Sequence, residues 1–365
     1  MLGFSRKQTR SLPYDMFDAD KFGLEAKNAR VLERVYHKSQ AQAWDGKEVL
    51  ESLIETHGTP NMDPEKKAAL GRVFGIIMWG ELAAWRISAE LADEIEPLEA
   101  KMAATSQAFD EARHFYVMHD YLQALDAVPQ SMDWAARTLL EEVMNADHLA
   151  KKLLGMQLMV EPVALTLFHI VKKLNVEPVL SHLLPYYEKD EARHIALGVQ
   201  YLPAMLSQMF IVERVSLWAF QLKLISLEIW GNIALSKDLM TLGVDPRELI
   251  ELGKGKQAMA LDMVLKSLGV DQNGDLPSII INRYADAMTE LTVPAQENET
   301  ISLQERITRA ATAIFTGTNT SLGDINPEVS DSQVPLILSN KKKSAAANTE
   351  SRKKKAPKHA KLKAI

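Results

Sequence analysis

Cysteine is absent from this 365-residue chain. That excludes disulfides, thiolate zinc sites, Cys-ligated iron–sulfur clusters and cysteine nucleophiles. Glycine and proline are not enriched, and strand-like alternation is nearly absent. The N-terminal stretch MLGFSRKQTRSLPYD lacks the apolar segment of a secretory signal. The longest apolar run, residues 153–171, is close to membrane-spanning length but contains Gln157, Glu161, Pro162 and His169. A carboxylate at its centre makes a buried core helix the better reading. A cytoplasmic protein is the expectation.

What is present is helix-forming and apolar. Apolar residues make up 47% of the chain, enough for a sizeable core. Strings such as LLEEVMNADHLAKKLL combine Ala, Leu, Lys and Glu, all good helix formers. The net charge of −6 hides an asymmetry: residues 341–365 carry nine Lys, one Arg and one Glu, so the body is acidic and the tail basic.

The pattern predicts an N-terminal extension over 1–60 with short helices near 24–36 and 47–56. A helical bundle with a flanking helix follows over 61–240, then accessory helices over 241–320 and a disordered basic tail over 321–365. Within the bundle, Asp63 and Pro64 open a helix running to about residue 95. Pro97 opens a second, to about 125. A long third helix spans about 132–174, interrupted by Pro162, and a fourth ends near Tyr201, before Pro203. A further apolar helix is expected over 204–237, with others over 246–268, 277–290 and 301–316.

The chemistry lies in a repeat. Asp110-Glu111-Ala112-Arg113-His114 recurs unchanged as Asp190-Glu191-Ala192-Arg193-His194. The same interval separates Glu81 from Glu161, and each of these is the only charged residue in a long apolar run. The unit is thus an isolated Glu followed by Glu-x-x-His, with identical spacing in both copies. The midpoint of Glu81 and Glu111 falls in the turn at 95–97, and that of Glu161 and Glu191 in the turn at 175–178. Each pair therefore lies about 15 residues, or roughly 22 Å, from its turn on antiparallel helices.

Two such hairpins packed together place four Glu and two His in one layer. Glu and His three apart share a helix face. A Glu from each of two helices, with Glu-x-x-His from each of the other two, is the inventory of di-iron and di-manganese bundles. Carboxylate oxygens with one imidazole per ion suit iron or manganese. The candidate ligands are Glu81, Glu111, His114, Glu161, Glu191 and His194. Asp110, Arg113, Asp190 and Arg193 are read either as a network behind the imidazoles or as surface ion pairs. His169 reads as a core residue, and His119, His148 and His182 as surface or interhelical contacts. Pro162 predicts a bend or bulge beside Glu161. Met78, Trp79, Met156, Met159, Leu165 and Phe168 are candidates for a substrate pocket or for plain core.

At the two DEARH motifs the chain resembles the ferritin-like di-iron carboxylate superfamily. It is most similar in motif to the α subunits of bacterial multicomponent monooxygenases. It is similar more distantly to acyl-carrier-protein desaturases and ribonucleotide reductase small subunits. The resemblance covers about residues 65–200 and implies an all-α fold: a ferritin-like four-helix bundle with additional N- and C-terminal helices. It departs from named relatives at Met118 in place of a radical tyrosine, Leu165 in place of a hydroxylase threonine, and Tyr187 in place of an additional histidine ligand.

The resemblance implies two iron ions, with manganese or a mixed manganese–iron pair left open. Glu81, Glu111 and His114 would serve one ion and Glu161, Glu191 and His194 the other, with Glu111 and Glu191 as bridges and catalytic carboxylates. It further implies O₂ activation for oxidation of an apolar small-molecule substrate, by hydroxylation, desaturation or a related step. Electrons would come from a ferredoxin or flavin reductase. A ferroxidase, peroxidase or manganese catalase-like protein is the alternative, and a scaffold acting through its tail a third reading. The helix around Trp218 and Trp230 offers a homodimer face. The Lys-rich tail offers contact with nucleic acid or an anionic surface.

Overall fold

The structure is a computed structural model that describes residues 19–271, 275–293 and 301–316. These all fall in the first of two compact units, Met1–Ile325. The basic tail lies outside the described residues. Among the described residues the fold is all-α, with no strand.

Two helices precede the bundle, α1 (Ala19–Gln42) and α2 (Gly46–His57). Asp45 caps α2 by accepting from the backbone of Lys47 and Glu48. Next comes a long hairpin, α3 (Pro64–Glu94) and α4 (Leu98–Ala124), joined by a short link at the turn expected around residue 96. The second half is less regular: α5 (Trp134–Met144), α6 (Leu149–Leu153), a π-helical segment (Leu154–Val160) and α7 (Glu161–Leu174). A short link then leads into α8 (Pro178–Gln208). Asn175 makes that link in the left-handed conformation, φ 47°, a helix-terminating geometry that Asn tolerates. The chain continues as α9 (Ile211–Ala234), α10 (Ser236–Thr241), α11 (Pro246–Ser267), α12 (Leu276–Thr292) and α13 (Leu303–Thr316).

Three boundaries differ from the sequence expectation. The single helix over 132–174 is broken at residues 145–148, where Asn145 terminates α5 and the His148 ring accepts the Ala150 amide to start α6. These side chains compete with helical backbone bonds and favour ends over interiors. Pro203 does not end the fourth helix, which continues to Gln208. An interior proline costs about 3 kcal/mol; burial of neighbouring Val199 and Leu202 offsets it. The apolar helix expected over 204–237 consequently begins only at Ile211.

α3, α4, α7 with the π segment, and α8 form the bundle. Phe74 of α3 meets Phe168 of α7, ring centroids 6.4 Å apart, in a core shared with Val117, Tyr121, Leu180 and Leu184. α1 and α2 lie against α4 and α8, and α9 and α11 close the opposite side over α5, α7 and the π segment. Two runs are long and apolar enough to cross a membrane by length and composition, Pro64–Glu94 and Leu149–Leu174. Both are walls of this bundle, with 56% and 78% of their apolar windows buried in it.

The approach of residue 127 to α3 is set by Gly71. A Cβ there would stand 2.4 Å from the Ala127 carbonyl oxygen, a backbone atom. Gly71→Ala would gain about 1 kcal/mol of helix propensity in an open helix. The expected result here is net destabilisation, read as a lower urea midpoint, because backbone must move.

Candidate metal centre

Glu161 owes its position to a defect in the helix. Pro162 has no N–H, and its ring excludes the carbonyl four residues back. The chain widens ahead of it into the π segment, where the Glu161 amide bonds the Met156 carbonyl, five residues back. The bulge predicted from Pro162 is therefore present, on the N-terminal side of the carboxylate.

Glu81 comes from α3, Glu111 and His114 from α4, and Glu191 and His194 from α8. Together with Glu161 they converge in one buried cluster, none more than 6% exposed. Two overlapping groups offer ligand atoms within 4.8 Å of one another: Glu81, Glu111, His114 and Glu191; and Glu111, Glu161, Glu191 and His194. Glu111 and Glu191 are common to both. The His114 Nδ1 atom lies 3.4 Å from Glu81, 3.4 Å from Glu111 and 3.3 Å from Glu191. His194 Nδ1 lies 3.0 Å from Glu111 and 3.4 Å from Glu191.

The other ring nitrogens point away from this centre, and they cross between the helices. His114 Nε2 on α4 meets Asp190 of α8 at 3.0 Å, while His194 Nε2 on α8 lies 3.5 Å from Asp110 of α4. The two aspartates are bound to two guanidiniums. Arg113 contacts Asp110 at 2.5 Å and Asp190 at 2.8 Å, and Arg193 contacts Asp110 at 3.1 Å and also Asp190. All four are buried, so the surface-ion-pair reading does not hold: the DEARH repeat builds one interlocked network between α4 and α8.

The N-terminal segment completes that network. Ser39 of α1 donates to Asp110 at 2.9 Å, the Trp44 indole N–H donates to Asp190 at 2.8 Å, and Arg193 donates to Gln42 at 2.9 Å. The Arg113 guanidinium also stacks over Trp44, 4.7 Å from the ring centroid. Sequence reasoning missed Ser39, Gln42 and Trp44, because nothing local ties them to motifs so far along the chain.

It also missed Gln107, one turn before Glu111. Gln107 Nε2 donates to Glu161 at 2.8 Å and to Glu111 at 3.2 Å. A usable signal existed: Gln107 precedes Glu111 by the same step as Tyr187 precedes Glu191, so the two occupy equivalent places in the repeat. There the two halves differ. The Tyr187 ring stacks on His114 with centroids 4.3 Å apart, and its hydroxyl donates to the His114 carbonyl at 2.7 Å. One half of the centre has an amide donor at the carboxylates, the other an aromatic plate behind the imidazole. Of the remaining histidines, His148 caps α6, and His182 stacks on His57 at 4.2 Å.

The electrostatics are those of an anionic pocket. Burial pushes the Glu81 and Glu161 carboxyls well above the usual range. Burial also acts upward on Glu111, but His194 and His114 outweigh it and hold that carboxyl far below. For His114 and His194 burial acts downward, and the surrounding carboxylates reverse it, raising both imidazoles well above their ordinary value. Burial acts upward on Asp190 too, and His114 with the two arginines holds it far below the carboxylate range.

The residues fit a pair of metal ions. Glu111 Oε2, Glu161 Oε2, both Glu191 oxygens and the Nδ1 atoms of His114 and His194 are buried without a hydrogen-bond partner, and they face one another. Buried polar atoms are rarely left so. Four carboxylates carry four negative charges, which two divalent cations cancel, and the donor set suits hard or borderline ions such as iron and manganese.

A cavity of about 190 Å³ opens on this centre. Glu81, Glu111, Glu161 and Glu191 line it, and neither histidine does. Its apolar wall is a stripe of α3 at helical spacing (Val73, Ile77, Ala84), a stripe of α7 (Val163, Ala164, Leu167) and residues of α9 and α11. Of the six side chains proposed for a pocket, only Met156 lines it. Met78 and Phe168 pack in the hydrophobic core, and Trp79 is 37% exposed against Phe115. Spacing along the helix does not decide the lining: Met78 and Leu165, three and four residues from Glu81 and Glu161, do not line the cavity, whereas Gly80 and Val160, directly beside those ligands, do.

Comparison with curated proteins returns no match. A family model described as Methane/Phenol/Alkene Hydroxylase matches residues 27–209, from α1 to the end of α8. That range takes in all six converging side chains and the N-terminal residues that hold Asp110 and Asp190. It is a family of di-iron carboxylate oxidoreductases. The chain belongs to the methane/phenol/alkene hydroxylase family.

Proposed function

We propose that the chain holds two iron ions and is an O₂-activating oxygenase acting on an apolar small molecule in the cytoplasm, with electrons from a ferredoxin or flavin reductase. One observation carries the reading: four carboxylates face an apolar cavity, while Asp190 hydrogen-bonds the His114 imidazole from behind and Asp110 stands 3.5 Å behind that of His194. In this reading Glu81, Glu111 and His114 would hold one ion and Glu161, Glu191 and His194 the other, with Glu111 and Glu191, common to both groups, as the candidate shared carboxylates. When bound, the ions supply the redox chemistry that activates O₂.

The chain's own residues do the rest. Asp190 and Asp110 orient the imidazoles so that each Nδ1 faces the centre. Gln107 holds the Glu161 carboxylate by one of its oxygens. The π turn gives that carboxylate a backbone without the regular helical bonds, and so room to shift. The apolar wall excludes water from the reacting face and leaves space for a substrate of matching polarity. The same cavity favours an organic-substrate oxidase over a ferroxidase, since a ferrous ion gains nothing from an apolar lining. The test is O₂ consumption by iron-loaded protein with a chemical reductant. Stimulation by small apolar compounds is expected; uptake driven by Fe(II) alone and indifferent to them would sink the reading in favour of the ferroxidase.

Metal loading should depend on pH with a definite sign. Glu81, Glu161, His114 and His194 all have raised affinity for protons, and each must lose its proton to bind an ion. Protons therefore compete with metal, and apparent affinity for Fe(II) or Mn(II) is expected to fall as pH drops from about 8 to about 6. Anaerobic metal titration at several pH values measures it.

A further inference from the structure

The cavity wall carries a second polar group that the metal centre does not use. Glu228 and Asn232, one turn apart on α9, share a helix face, and both line the cavity. Gln257 of α11 directs its amide N–H group at both Glu228 oxygens, 3.2 and 3.0 Å away, and at the Met159 carbonyl of the π segment, 3.0 Å away. One NH₂ has two hydrogens, so it leaves most of the acceptor capacity of Glu228 unused. The Asn232 Oδ1 atom is buried and has no partner. The lysine of the cavity wall, Lys254, is already committed to Asp286 at 2.6 Å and Glu251 at 3.2 Å.

We propose that Glu228 and Asn232 bind the ammonium group of a hydrophobic amine, and that such amines are the substrates this cavity selects. The inference deepens the oxygenase reading and rests on it for the fate of the bound amine. The argument is one of unmatched acceptors. A carboxyl in an apolar cavity is costly unless a cation or several donors meet it. This corner offers acceptors from two side chains, with Gln257 as the donor that orients one of them. An ammonium brings three N–H donors and a charge, an alcohol one donor, and a hydrocarbon none. Burial pushes the Glu228 carboxyl up to about 8, against the Gln257 hydrogen bond. The acid is thus neutral near pH 7 until a cation arrives, and binding of an ammonium then draws its proton off. At about 190 Å³, below the ~300–1,000 Å³ of drug-sized pockets, the cavity suits a short chain or single ring attached to that nitrogen.

Calorimetry on the full chain, loaded anaerobically with Fe(II), tests this with n-hexylamine and 1-hexanol, which share their alkyl chain. The amine is expected to bind at least about tenfold tighter, as a charge-assisted contact should. Glu228→Gln, similar in shape and uncharged, is expected to weaken hexylamine by about tenfold or more and hexanol by less than about twofold. It should also abolish the proton release seen on amine binding in buffers of different ionisation enthalpy. Asn232→Ala, a second variant, should weaken the amine with the same selectivity. Equal affinity for the two compounds, or unchanged hexylamine binding in both variants, overturns the inference. Elemental analysis of the same samples separates it from the reading beneath it. Two irons without amine preference remove only this proposal, whereas amine preference without bound metal removes the oxygenase and leaves the amine site standing.

Discussion

Glu111→Ala and Glu191→Ala are each expected to abolish stable binding of two metals per chain. These carboxylates are the two members common to both ligand groups. Losing either removes a donor from both ion positions at once, and leaves an imidazole facing fewer carboxylates. His194 Nδ1 would lose its closest one, 3.0 Å away, in Glu111→Ala. Loss of a group behind a metal ligand costs about 10–100-fold in affinity, so loss of a shared ligand should exceed that. Elemental analysis after anaerobic competition between Fe(II) and Mn(II) is the measurement, with O₂ uptake as the second. Glu81→Ala and Glu161→Ala should be milder, each disturbing one position. Folding should survive, because an anionic side chain leaves a crowded anionic pocket. Full retention of two metals in both bridging variants would mean that the six residues are structural, and the oxygenase reading would fall with them.

Asp190→Ala is expected to produce the largest loss of stability of any single change near the centre. Asp190 accepts from Arg113, Arg193, the Trp44 indole and the His114 ring. Its removal leaves two buried guanidiniums with Asp110 as the only aspartate of the pair. Breaking a buried ion pair from one side costs about 3–5 kcal/mol, because the remaining charge stays desolvated. Asp190→Asn keeps the volume and one acceptor, so it should recover much of the stability. It should not recover metal affinity, since a carboxylamide no longer holds His114 as a carboxylate does; a drop of about 10–100-fold is expected. Urea unfolding separates the first effect and metal titration the second. An Asp190→Ala protein within about 1 kcal/mol of the parent would show the network to be a minor contributor.

Much of the centre was legible in the chain itself. A repeated DEARH motif, an isolated Glu set ahead of each copy by the same interval, and midpoints falling in turns identified all six side chains that converge and the hairpins that carry them. These features are readable because they depend on distances along one helix, where the fixed turn and rise convert sequence spacing into geometry. The burial of the DEARH aspartates and arginines was readable only as one of two options. The same letters serve a solvated helix face or an interior network, and burial decides between them.

What the tertiary structure alone decided concerns contacts between helices. Sequence spacing does not show that Asp110 serves His194 and Asp190 serves His114, because that crossing depends on how α4 and α8 face each other. Nor does it show that Trp44, Ser39 and Gln42 close the network from α1 and the link after it. Pro162 announced an irregularity, but its form, a π turn placing Glu161 beside Gln107, depends on packing against α4 and α8. The cavity is the clearest case. Glu228, Asn232 and Gln257 share a cavity with the carboxylates because α11 packs on α7 and α9 on α5 and the π segment, and packing of those distant helices is specified by many weak contacts rather than by any local pattern.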